Sequence, residues 1–76
     1  MTTATTRYPT AGDRVGVIDG PGQDPRASAG IVLATYTDRW HQHIAVVLMD
    51  SGAAAEIVGT YTTAGIGWHL IKPATP

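Results

Sequence analysis

The chain reads as an all-β domain, with five short strands closed into a small barrel. Three observations predict this. Apolar residues alternate over stretches of strand length, and no stretch sustains a 3.6-residue period. Turns carrying glycine or proline separate these stretches. The run that favours a helix, Ala53-Ala54-Ala55-Glu56, is four residues long and meets β-branched Ile57-Val58 at once.

Residues 1–11 are rich in Thr and Ala, contain Pro9 and show no period, so a flexible arm is expected there. After the Gly12-Asp13 turn, Arg14 to Asp19 forms the first strand, with Val15 and Val17 on one face. From Asp19 to Ser28, Gly20, Pro21, Gly22 and Pro25 argue against helix and interior strand. The second strand runs from Ala29 to Thr37 and is apolar on both faces. A polar loop, Asp38 to Gln42, leads to the third strand, His43 to Asp50. There Ile44, Val46 and Leu48 form one face and Ala45, Val47 and Met49 the other; Val15, Val32 and Val46 are expected to meet inside. Asp50-Ser51-Gly52 is a hairpin turn, followed by a fourth strand from Ala55 to Tyr61. A short 3₁₀ turn is expected over Thr62–Gly65, before the last strand, Gly67 to Ile71, which Lys72-Pro73 ends. Residues 12–73 thus make one domain, and residues 74–76 a tail.

Seventy-six residues lie near the lower limit for a chain that must bury its own core. Without cysteine, neither a disulfide, a thiolate zinc cluster nor a cysteine nucleophile is available. A core of this size supplies a net stability of about 3–5 kcal/mol, so self-association is one way to bury more surface. The net charge is −1, and Arg7, Arg14, Arg26, Arg39 and Lys72 are scattered, with Asp13, Asp19, Asp24 and Asp38 close to most of them. That is not the basic face of a dedicated nucleic-acid binder. Met1 to Arg7 has no apolar core of an export signal, and no apolar run approaches the ~20 residues that span a bilayer, so a cytoplasmic location is expected. Eleven Ala, eleven Thr and nine Gly beside one Lys and no Asn suggest a GC-rich genome, such as that of an actinobacterium or one of its phages.

The histidines are the first candidates for chemistry. His41 and His43, two apart on an extended strand, would point the same way and could chelate zinc or nickel, with His69 approaching them in a closed barrel. A third ligand with its supporting shell is not evident, and two solvated histidines at a loop are the preferred reading. Ser28 and Ser51 lie in turns outside a nucleophile elbow, and Gly20-Pro21-Gly22 precedes a strand and lacks the lysine of a phosphate loop. No catalytic residue, metal or cofactor is therefore assigned. The aromatic residues carry more. Trp40 stands in an otherwise polar stretch, and Trp and Tyr dominate interface hot spots. Trp68 and Tyr36 are expected to fill the core, which has no phenylalanine to use. A contact surface is expected from the Asp19–Ser28 and Asp38–His43 loops, using Asp24, Arg26, Arg39, Trp40, His41 and His43, with Tyr61 as a neighbour.

Gly12-Asp13-Arg14-Val15 with Val17 and Gly20, then Gly30-Ile31-Val32, resembles the KOW-type opening of SH3-like small barrels. Ile44-Ala45-Val46-Val47-Leu48-Met49-Asp50-Ser51-Gly52 resembles the third strand and acidic turn of that superfamily. The likeness covers residues 12–73 and implies a five-stranded SH3-like barrel. A narrower likeness joins Gly12-Asp13-Arg14-Val15, Gly30-Ile31-Val32 and Tyr36 to type II dihydrofolate reductases, tetrameric barrels with a Val-Gln-Ile-Tyr motif lining a shared pore. The matching segment here is Ala55-Glu56-Ile57-Val58, with a carboxylate for the glutamine and no tyrosine. Four copies of Glu56 in such a pore would repel an anionic nicotinamide cofactor.

The expected function is that of a small, non-enzymatic protein-interaction module, of the accessory kind found in phages and mobile elements. One alternative is a KOW-like nucleic-acid-binding domain using Arg14, Arg26, Arg39 and Lys72. The other is an oligomeric enzyme similar to type II dihydrofolate reductase.

Overall fold

A computed structural model describes residues 7–75. The strands form where the apolar alternation falls: β1 (Arg14–Ile18), β2 (Ala29–Thr37), β3 (His43–Met49), β4 (Ala54–Val58) and β5 (Gly67–Lys72). They join in one antiparallel sheet of order β4-β3-β2-β1-β5, which leaves β4 and β5 at its two edges. Both edge strands serve one interior. Val15, Val32, Ala45, Val47, Ile57 and Tyr61 form the buried cluster, and Trp68 and Leu70 of β5 pack against it. The sheet therefore curls around a single core. A register shift in β2 between Val32 and Ala34 leaves Leu33 unpaired, the kind of bulge that bends a strand.

Tight turns hold the strands in this order. The β3–β4 hairpin closes with Gly52 at φ +94°, its N–H bonded to the Met49 carbonyl at 2.8 Å. This is the left-handed backbone that glycine adopts without a steric cost. At Gly16 the requirement is space: a Cβ there would lie 2.0 Å from the Pro25 carbonyl oxygen, because the first loop packs flat on β1.

Four expectations need correction. The 3₁₀ turn lies at Pro25–Ala27, in the first loop, and residues 63–66 before β5 make only a bend. Asp24 caps that turn, its side chain accepting the Arg26 N–H at 2.9 Å, and Pro25 supplies the φ that a first helical position needs. On β3 the inward face is Ala45, Val47 and Met49, not the one with Val46, which is only half-buried and stands outside the core cluster. Tyr36 is about half exposed and joins no core. Residues 7–11 are not a free arm, since the Arg7 carbonyl accepts the Tyr61 N–H at 3.0 Å and Pro9 is buried. The expectations for residues 1–6 and for residue 76 lie outside the described residues. Among the described residues no helix is long and apolar enough to cross a membrane.

Candidate interaction surface

The β2–β3 connection is a compact turn built on Asp38. Its carboxylate accepts the N–H of Trp40 at 2.8 Å and of Gln42 at 2.9 Å, while its own N–H bonds to the Gln42 carbonyl at 3.0 Å. Aspartate favours such turns because a short carboxylate reaches the backbone two residues on. His41 takes φ +62°, a left-handed backbone that costs a non-glycine residue energy and is held here by the bonds on either side. The result is that Trp40 points away from the core, 67 % exposed, with the Arg39 guanidinium 4.7 Å from its ring centroid. A cation over an indole face is attracted by the ring quadrupole, so the pair forms a broad amphipathic plate.

His41 and His43 do not share a strand. His41 sits in the turn, and His43 opens β3 with its ring stacked on Tyr8, centroids 3.8 Å apart. His69 is occupied elsewhere, its Nε2 lying 2.7 Å from the Gly65 carbonyl oxygen. Among the described residues no three His, Asp or Glu side chains gather as a metal site would require.

Asp24 and Arg26 are engaged with one another, in an exposed ion pair of 3.1 Å. Their hydrogen bond holds the Asp24 carboxyl below, and the Arg26 guanidinium above, its ordinary pKa. With Leu70 and Ile71 they line an open groove of about 580 Å³. The Pro25–Ala27 turn packs on β1 and β5, whereas the Trp40 turn lies beyond the far end of β2. Nine residues of strand, roughly 25 Å along the chain, connect the first loop to the Trp40 turn.

Tyr61, expected beside Trp40, is a core residue, 5 % exposed. Gly59 turns the chain at φ +86° just after β4, which sends Tyr61 inward, and its hydroxyl donates to Asp13 Oδ2 at 2.7 Å. Asp13 is the one fully buried charge among the described residues. It also accepts the Thr10 N–H at 2.9 Å and the Ala74 N–H at 2.7 Å, with Arg7 at 3.4 Å. Burial alone would raise the Asp13 pKa, but the bonds from Tyr61, Ala74 and Thr10 and the nearby Arg7 charge outweigh it and hold the carboxyl below its ordinary range. Desolvation first, then the bond to Asp13, pushes the Tyr61 hydroxyl well above its ordinary value. One carboxylate thus ties both ends of the described chain to the core.

A second exposed surface was less evident from the sequence. The outward positions of β2, β3 and β4 are aligned across the sheet: Ile31 beside Leu48 and Ala54, Ala34 beside Val46, which is half-buried, and Glu56, and Tyr36 and Val58 on either side of Ile44, which is itself buried. The one ionisable carboxylate among them, Glu56, accepts the Tyr36 hydroxyl at 3.1 Å. At the border of this face, on the β1 position paired with Ile31, Arg14 grips Asp50 through two bonds of 2.6 and 2.5 Å. No model of a known protein family matches this chain, and no curated protein and no solved structure is significantly similar to it.

Proposed function

We propose that the chain is an SH3-like barrel working as a non-enzymatic protein-interaction module, with Trp40 as its anchor and Arg39 and His41 beside it. The observation that carries this reading is the turn itself. Asp38 and the left-handed His41 hold a large aromatic ring in solvent at the end of a rigid hairpin, where a core residue would have folded back. Rigid exposed Trp and Arg are the side chains that most often dominate binding energy at interfaces. The long first loop, the tight β3–β4 turn and one interior lined from both edge strands support the barrel. The composition suits an accessory protein of a phage or mobile element in a GC-rich host, acting in the cytoplasm.

The charge arrangement favours a protein partner over nucleic acid. Arg7, Arg14 and Arg26 are each paired with an aspartate of the same chain, and Arg39 lies against Trp40. A phosphate backbone would have to compete with those carboxylates.

The test is affinity capture with wild type and Trp40→Ala, followed by titration of each identified partner in purified form. A partner whose affinity falls at least tenfold with Trp40→Ala, and changes little between low and high salt, supports the reading. Undiminished binding by Trp40→Ala contradicts it, as does capture of nucleic acid with a steep salt dependence.

A further inference from the structure

We infer that the outward face of β2, β3 and β4 is the seat of a second copy of this chain, so that the protein is a face-to-face homodimer. This surface is separate from the Trp40 turn and does not depend on its reading.

A sheet with one face in water alternates apolar and polar residues, whereas strands covered on both faces read as continuous apolar runs. β3 reads His-Ile-Ala-Val-Val-Leu-Met, apolar at six successive positions; its Ala45–Val47–Met49 side joins the core cluster, while on the other side Ile44 is buried, Val46 half-buried and Leu48 exposed. Across the sheet, Ile31, Leu33, Tyr36, Leu48 and Val58 remain between 40 % and 58 % exposed. Together they leave on the order of 500 Å² of largely apolar surface, at the upper end of what a lone soluble domain shows. A stable interface needs about 800 Å² from each partner, apolar at its centre. These five side chains lie around the Ala34–Val46–Glu56 row, which with Ala54 extends the surface towards that size.

The chemistry of the face indicates what covers it. Within β2, β3 and β4 the single charge on this face is Glu56, bonded to Tyr36 of its own chain, and at its border Arg14, paired with Ile31, is bonded to Asp50, so these charges are already matched within the chain. An apolar face of this kind complements itself, as a two-fold interface requires. The net charge of −1 puts little repulsion in the way. Residues 1–6, Met-Thr-Thr-Ala-Thr-Thr, hold one large apolar side chain and are a poor cover for five. Packing by faces is favoured over pairing at the β4 edge, because a two-fold register centred on that five-residue strand sets Glu56 opposite its own copy.

The experiment is multi-angle light scattering with sedimentation equilibrium on the full chain from micromolar to several hundred micromolar. Wild type and Trp40→Ala are expected to form dimers. Leu48→Lys, placed on the outward face, is expected to stay folded by circular dichroism while its dimer dissociation constant rises at least 100-fold. Isotope-filtered NMR on mixed labelled and unlabelled wild type keeps the idea testable should that variant unfold: contacts between chains are expected at the Ile31, Leu48 and Val58 methyls. A wild type that stays monomeric throughout would overturn the inference. So would a folded Leu48→Lys dimer of undiminished affinity, or contacts between chains that map elsewhere.

Discussion

Removing a single oxygen, by Tyr61→Phe, tests how the Asp13 cluster holds the fold. In the native chain the Tyr61 hydroxyl lies 2.7 Å from Asp13 Oδ2, inside the core. The phenylalanine ring fills the same space, so no cavity term enters and the loss is that of one hydrogen bond to a buried carboxylate. Such a bond contributes about 2 kcal/mol. Asp13 keeps Thr10, Ala74 and Arg7, which is why the loss stops short of the 3–5 kcal/mol that breaking a whole buried ion pair costs. In a domain of this length, 2 kcal/mol moves the melting temperature by about 8–16 °C. Differential scanning calorimetry at neutral pH and fixed protein concentration reads this directly, with Tyr8→Phe as an exposed control expected to melt like wild type. The gap should also narrow in acid. A carboxylate held below its ordinary pKa stabilises the fold above about pH 4 and loses that contribution as pH falls through its native value. A melting shift under about 2 °C at neutral pH, or a gap that persists unchanged in acid, would refute the reasoning.

Alkali should act through the other partner: with its pKa raised, Tyr61 stabilises the fold below about pH 10 and loses that contribution above it. Urea midpoints should therefore fall from about pH 10 upward in wild type, and less so in Tyr61→Phe. Gly16→Ala should cost about 1–3 kcal/mol, because its new methyl must push the Pro25 carbonyl off β1, while Gly20→Ala, whose nearest neighbouring atom is 3.4 Å away, should cost far less. Chemical denaturation of the two variants side by side decides this, and equal midpoints would contradict the tight docking of the first loop. Zinc titration should leave the melting temperature and the His41 and His43 ring resonances unchanged, since one ring is in a turn and the other is stacked on Tyr8; saturable shifts in both would count against this placement.

Strand positions were legible because they depend on local alternation and on turn residues, and β2 ends where the sequence reading put both of its ends. β4 is shorter than expected, as Gly59 takes a positive φ and ends it at Val58. The choice of inward face on β3 was not legible, since Ile44-Val46-Leu48 and Ala45-Val47-Met49 are both apolar and only packing against β1, β4 and Tyr61 separates them. The position of the 3₁₀ turn could have been found: Asp24-Pro25 is a capping residue followed by proline at a first helical position. Asp13 could not. Its turn bond to Thr10 is local, but Tyr61 and Ala74 lie 48 and 61 residues away, and no periodicity reports contacts at that distance. Trp40 was legible as an aromatic residue in a polar loop, while its exposure depends on the bonds that Asp38 makes. The outward apolar face was present in the sequence as a strand without a polar side.

The display of Trp40 is most directly measured by acrylamide quenching in the Trp68→Phe variant, which leaves Trp40 as the one tryptophan and spares the turn. Red-shifted emission, readily quenched though less than a free indole because Arg39 covers part of the ring, is the predicted result. Blue-shifted emission that resists the quencher would place the ring inside and contradict the account.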